Sequence, residues 1–379
     1  MPTKVTFNGV VNKKNAGNPE ELRFAIRTDD HYATAGVTER IIKQFKDNSL
    51  MKSGAIAGVV RDAYDAWMDA ALKEIADCLD YSHYPHNDAA HPAQIDFYDP
   101  EDLARDAMQK GSELCQQCGA KPGVPTLYVT LDEMIDGSGG EGAEIAISRE
   151  FSLDSAQQPG YQARPGKKPV VEQMKDLAQR LAQMKAQYGE NIPIVLLEDN
   201  IRHADMLNWV IDRMQENNVF DSGTLAGIAT CFCVASREEC EKIVHDGKIV
   251  PVAAVVDFAG SLTDVLTPRD LLFDGHVVKL GNDMCRLPSI FMDPVKLFKI
   301  APEKADDFRA GIHNINAAFC EQLEKKLGVP VPLSWFPAAE AISRVTGCAI
   351  DAPMTEVICK HQLTPLSFKT QPTLSKPQP

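Results

Sequence analysis

Between residues 170 and 260 the apolar positions switch repeatedly between two periods. Met174, Leu177, Leu181, Met184 and Tyr188 recur at three- and four-residue steps, the spacing of one helix face. Residues 194–197 (IVLL) are then apolar without a break, as in a strand buried on both sides. Leu207, Val210, Ile211 and Met214 mark one face of a second helix over 204–217, and 225–235 (LAGIATCFCVA) reads as a second apolar strand. Ser236 and Glu239 in SREE form a capping box opening a helix to about residue 245, and 249–256 (IVPVAAVV) is a third strand ending on Asp257. Continuously apolar strands alternating with amphipathic helices predict a parallel sheet covered on both faces. The expected fold class is therefore α/β, with a three-layer parallel-sheet domain over 170–325.

The pattern elsewhere is looser. Residues 54–80 are Ala-rich with helical spacing, and Asp99-Pro100-Glu101-Asp102 looks like a helix start with acid in its first turn. A mostly helical N-terminal region over 1–120 follows. Residues 121–169 hold two short strands, 126–131 (TLYVTL) and 143–148 (AEIAIS), a turn (DGSGGEG) and a linker over 152–169. A C-terminal helical segment over 326–368, continuing a face of Phe319, Leu323 and Leu327, precedes a disordered tail over 369–379.

Composition narrows the function classes. A chain of 379 residues predicts two or three domains. Its net charge of −14 argues against non-specific binding to nucleic acid or to an anionic membrane, both of which need a basic face. No apolar run reaches the roughly 18 residues of a membrane span. Ten scattered cysteines, several inside apolar runs, read as reduced thiols, so a cytoplasmic protein is expected.

Candidate chemistry gathers at strand ends, where doubly wound sheets bind ligands. Glu198 and Asp199 follow IVLL, and Asp257 follows VAAVV. If those strands are neighbours, three carboxylates converge, and Mg²⁺ is the hard cation that would neutralise them. The same acids also suit solvated loop starts and helix caps. The stretch IVLLEDNIRHADMLNWVIDRM, with LAGIATCFCVA, SREECEKI and PVAAVVDFAGSL after it, resembles response-regulator receiver domains. That resemblance implies a flavodoxin-like fold, with Glu198, Asp199 and Asp257 as Mg²⁺ ligands and Asp257 as phosphoacceptor. VKLFKIAPEKADDF is similar to the family's lysine strand, which would give Lys299 the phosphate-pairing role. The span from Asp199 to Asp257 is longer than in receivers, and Lys299 is not directly followed by proline.

Two other resemblances use the same residues. Glu198, Asp199 and Asp205 after an apolar strand look like the metal motif of haloacid-dehalogenase-like phosphatases, implying a Mg²⁺-dependent phosphohydrolase. VVDFAGSLTD is similar to that family's nucleophile strand, though it comes after the metal motif instead of before it. Four apolar residues and then Glu-Asp also resemble the start of a phosphoribosyltransferase-like diphosphate motif, with residues 202–206 (RHADM) where that family has small residues. A non-catalytic interaction protein, with protein partners on the long N-terminal part, is the remaining alternative.

His83 and His86 with Cys115 and Cys118 could close a tetrahedral zinc site, but the usual companion pattern of two Cys pairs or a finger-like spacing is missing, so surface histidines and an ordinary thiol pair are the default reading. No nucleophile elbow, H-E-x-x-H or G-x-G-x-x-G occurs, which removes the simplest hydrolase and oxidoreductase readings.

Overall fold

The computed structural model of the protein describes residues 23–27, 54–78, 94–98, 100–132, 135, 141–152, 160–257, 264–266, 275–280, 283–288, 293–296, 300–335 and 339–361. Lys299, His83, His86 and the tail over 369–379 lie outside them.

The chain's most apolar run forms its central strand. In chain order the strands are β1 (Arg23–Arg27), β2 (Gln94–Tyr98), β3 (Leu127–Thr130), β4 (Glu141–Glu144), β5 (Ile147–Ser152), β6 (Tyr161–Ala163), β7 (Ile192–Ile201), β8 (Gly223–Cys233), β9 (Val244–His245), β10 (Lys248–Ile249), β11 (Val252–Asp257), β12 (Asp264–Leu266), β13 (Gly275–Leu280) and β14 (Asp283–Pro288). The helices are α1 (Gly54–Cys78), α2 (Pro100–Gln117), α3 (Val170–Tyr188), α4 (Asp205–Glu216), α5 (Arg237–Cys240), α6 (Ala305–Leu327), α7 (Ala339–Thr346) and α8 (Met354–His361). The largest sheet has the order β11-β8-β7-β3-β4, and every pairing in it is parallel. Three shorter sheets, β12-β1-β2, β14-β13-β5-β6 and β10-β9, complete the strand inventory among the described residues.

Side chains alternate along β7, so its two faces feed two separate cores. Ile192, Ile194 and Leu196 pack with Leu127 and Val129 of β3, with Met174, Leu177, Leu181 and Met184 of α3, and with Leu207, Val210, Ile211 and Met214 of α4. Val195 and Leu197 pack on the other side with Leu103, Ala107 and Leu114 of α2 and with Ala226, Ala229 and Cys231 of β8. Each helical apolar stripe thus meets one face of the same sheet. Helix α3 stops at Gly189, whose φ of 72° is the left-handed conformation that closes a helix without a Cβ penalty.

The sheet recruits chain from both sides of the expected boundaries. Strands β3 and β4 precede residue 170, and α2, from the expected N-terminal region, supplies one of the two cores. That N-terminal region also contributes β1 and β2, which pair in parallel with each other. Helix α1 instead packs along α6, where the buried Trp67 indole N–H donates to Asn316 Oδ1 at 2.7 Å.

Strand β8 carries an irregularity. Its register against β7 jumps, with Ile194 opposite Leu225 and Val195 opposite Gly227. A Cβ on Gly227 would lie 2.8 Å from the Pro251 carbonyl oxygen and 2.9 Å from a Leu114 methyl carbon. That carbonyl accepts the Ile228 amide at 2.9 Å, so the backbone cannot simply step aside. Gly227→Ala is expected to destabilise the protein by about 1–3 kcal/mol, the range for overpacking a close-packed site. The check is a lower urea midpoint at unchanged slope; an unaltered midpoint would contradict the close approach.

Candidate functional site

Strand β7 stays buried until its carboxyl end, where polar residues begin. Glu198 is the first of them and is only 6% exposed, while Asp199 and Asn200 are half-buried. Strand β3 runs beside it and ends at Thr130, followed by Leu131 and Asp132. The Leu131 amide donates to the Leu197 carbonyl at 2.9 Å, which holds the two strand ends together. Asp132 and Asp199 are both close enough to act electrostatically on the Glu198 carboxyl.

A buried arginine opposes the negative charge around Glu198. Arg164, 7% exposed, follows β6 and reaches across the end of β3. Its guanidinium donates to the Leu131 carbonyl at 2.6 Å and to Glu144 at 3.3 Å, and its amide donates to the Ala146 carbonyl at 3.0 Å. Lys167 joins Glu144 at 2.7 Å. Arg164 therefore latches the carboxyl ends of β3 and β4 while lying within electrostatic reach of Glu198.

Burial pushes the Glu198 carboxyl well above the usual carboxylate range, the negative charges of Asp199 and Asp132 raise it further, and Arg164 opposes them. With both carboxyls ionised, no donor among the described residues reaches Glu198 Oε2. Protonated, Glu198 can donate to the Asp199 carboxylate beside it.

Asp257 is not part of this group. Convergence of the three acids needs β7 and β11 to be neighbours, and β8 lies between them. Glu198 pairs with Thr230, which pairs in turn with Ala254. Two strand spacings of about 4.8 Å and about three residue steps of 3.3 Å therefore put the Cα atoms of Glu198 and Asp257 roughly 14 Å apart. Asp257 is exposed at the end of β11, opposite Cys233, and raises the pKa of Cys233 and of Cys240.

No group of three or more His, Cys, Asp or Glu able to hold a metal ion occurs among the described residues, so the acids as arranged do not fit the three-carboxylate Mg²⁺ site. Of the zinc set, Cys115 is buried against the sheet and accepts a hydrogen bond from Thr126 Oγ1 at 3.3 Å, while Cys118 is exposed and its thiol donates to the Cys115 carbonyl.

The segment after β8 differs from its sequence pattern. Ser236 Oγ does accept the Glu239 amide, at 3.2 Å, but α5 ends at Cys240 and His245 belongs to β9. The Glu239 carboxylate turns away from its own helix and accepts the Ala204 amide, at the start of α4, at 3.1 Å. Lys242 and that amide hold Glu239 below the usual carboxylate range.

Sequence reasoning found Glu198 and Asp199 and missed Asp132 and Arg164. Asp132 follows the strand TLYVTL as the other acids follow theirs, so the strand-end rule reaches it. Arg164 lies in an apparent linker, and no local pattern marks it.

Compared with known proteins, the chain matches no family model, no curated protein and no solved structure.

The Glu198 environment sets a pH dependence. Because its carboxyl is raised in the folded state, the native chain keeps a proton that the unfolded chain releases above about pH 4.3. Stability from this group therefore falls as pH rises from there toward the folded-state pKa. Glu198→Gln keeps the donor and removes the titration. It is expected to be more stable than wild type at about pH 8, by about 1–3 kcal/mol on the scale of one unsatisfied buried polar group. The gap should close toward about pH 4. Melting curves across this range test it, and a variant less stable than wild type at every pH would refute it.

Proposed function

We propose that the chain is a small-molecule-binding protein of the three-layer, doubly wound, flavodoxin-like type, and that its ligand is a phosphorylated sugar. The observation that carries the reading is the buried Glu198–Asp199 pair, with Glu198 Oε2 unmet by any described donor, at the carboxyl end of β7. Counted along the chain, the strands of the main sheet lie in the order 2-1-3-4-5, so the order reverses between β3 and β7. In sheets of this kind ligands bind outside the carboxyl ends of the strands at that reversal.

A buried Glu198 whose Oε2 has no described donor favours a ligand that brings hydroxyl donors. A sugar hydroxyl suits Glu198 Oε2. The phosphate belongs further out, over Arg202 and His203, both exposed between β7 and α4. IVLLED resembles the start of a phosphoribosyltransferase-like diphosphate motif, but residues 202–206 (RHADM) replace the small residues that cradle phosphate there, which counts against that family's own binding mode.

Other readings draw less support. Phosphoryl transfer to Asp257 with Mg²⁺ and Lys299, as in a receiver, asks for Asp257 beside the acid pair, and β8 intervenes. A haloacid-dehalogenase-like phosphohydrolase asks for a Mg²⁺ ligand set that the described residues do not supply. A non-catalytic interaction role is the second reading, because Val244 and Ile249, paired across β9 and β10, are 44% and 58% exposed. Such a cross-strand apolar pair suits a protein partner.

Thermal denaturation with ribose 5-phosphate and with phosphoribosyl diphosphate tests the proposal against ribose, inorganic phosphate and Mg²⁺ alone. A ligand bound only by the native state raises the midpoint with the logarithm of its concentration. The sugar phosphates are expected to raise it in wild type and to leave Asp199→Ala unchanged. No rise with either sugar phosphate would overturn the reading. A response to Mg²⁺ alone, with acetyl phosphate labelling Asp257, would restore the receiver reading.

A further inference from the structure

The carboxyl end of β8 holds a second reactive group, independent of the acid pair. Cys233 Sγ and Cys240 Sγ stand 3.6 Å apart. Cys233 is the last residue of β8 and is buried, while Cys240 closes α5 and is half-buried. A disulfide brings its sulfurs to about 2.05 Å, so closure asks for about 1.5 Å of approach. A shift of that size lies within reach of side-chain rotation and a small movement of the four-residue helix α5.

Core packing separates the neighbouring thiols. Cys231 lies two residues before Cys233 and faces the α2 core, whereas Cys233 lies in the opposite core, against which Cys240 also packs. Cys240 packs on the core that holds Cys233, and its sulfur lies 3.6 Å from that of Cys233. Cys233 donates its thiol proton to the Ala235 carbonyl or shares it with Cys240, so the two sulfurs already form one hydrogen-bonded unit.

We propose that Cys233 and Cys240 are a modification site: a dithiol that closes to an intramolecular disulfide when a small disulfide oxidant is present. The less buried Cys240, as thiolate, attacks one sulfur of the oxidant and expels its first thiol, which carries off the proton. Cys233 then attacks the Cys240 sulfur of this mixed disulfide and expels the second thiol. The pair loses two electrons and two protons, and the oxidant is reduced to two thiols.

The surroundings disfavour the thiolate of both cysteines. Burial raises both thiols, Cys233 up to about 12, and the Asp257 carboxylate adds to each. Closure would also act on its neighbours. The segment around α5 is fastened to α4 by Glu239 on the Ala204 amide, by Asn208 Nδ2 donating to the Lys242 carbonyl at 2.9 Å, and by the Val244 amide donating to Asn208 Oδ1 at 3.1 Å. A disulfide would bind that segment to β8 as well, fixing the loop beyond the carboxyl edge of the sheet.

The test treats the native full-length chain with excess glutathione disulfide, alkylates the remaining thiols and digests with trypsin. Cleavage after Arg213, Arg237 and Lys242 leaves Cys240 in the peptide EECEK and Cys233 in the preceding peptide. Wild type is expected to yield these two peptides joined, lighter by two hydrogens than their sum. Cys231→Ser should keep the link and Cys233→Ser should lose it. Recovery of Cys240 as the alkylated thiol, or carrying glutathione, overturns the proposal, as does a link that disappears in Cys231→Ser. Because the peptide over 214–237 carries both Cys231 and Cys233, fragmentation of the joined wild-type peptides between these two residues assigns the link should a variant fail to fold, and a link at Cys231 overturns the proposal.

Discussion

The rest of this fold depends on the burial of one strand, β7, on every side. Its backbone pairs with β3 on one edge and β8 on the other, and its side chains enter two different cores. Such a strand has no tolerance for polar side chains along its length, because each would need a partner in an apolar interior. Helices on both faces follow from that requirement: α3 and α4 cover one set of alternate residues, and α2 the other. The energetic return comes from removing apolar surface from water twice with a single backbone, at roughly 25 cal/mol per Å².

The same constraint produces the candidate site. Polar residues on β7 are confined to its carboxyl end, so Glu198 becomes the first charge-bearing group after a run of fully buried ones. It is still inside when its charge should appear, and it shares its surroundings with Asp199 and Asp132. Desolvation and like charge act in the same direction, and one arginine acts against them. An arrangement that costs stability for lack of a donor at Oε2 is the kind that a bound molecule can complete. Arg164 keeps the cost tolerable by holding the ends of β3 and β4 in register while lending positive charge to the acids.

A similar competition between local and distant partners shapes the loop after β8. Ser236 caps α5 as its sequence suggests, and the Glu239 carboxylate accepts the amide at the start of α4 and pairs with Lys242. The outcome is a four-residue helix in place of a long one, and a segment fastened to α4 rather than free to extend. That fastening brings Cys240 to Cys233 and leaves the exposed β9–β10 hairpin projecting beyond it.

The sequence by itself determined the elements whose cause is local. The three- and four-step stripe over 174–188, the unbroken run at 194–197 and the apolar strand at 225–235 each imply one secondary structure and one kind of environment, and together they imply a parallel α/β sheet. Glu198 and Asp199 were legible for the same reason, since a strand that must be apolar betrays its end by its first acids. Strand order was not local. Nothing in the spacing says that β8 separates β7 from β11, yet that single fact parts Asp257 from the acid pair. Nor does a sequence pattern show that Arg164, in a Gly/Pro-rich stretch, folds back across β3, or that a helix at 100–117 covers a sheet beginning at residue 127. Pairing of strands and the reach of long charged side chains are decided by which surfaces bury each other, and that is settled only when the whole chain has packed.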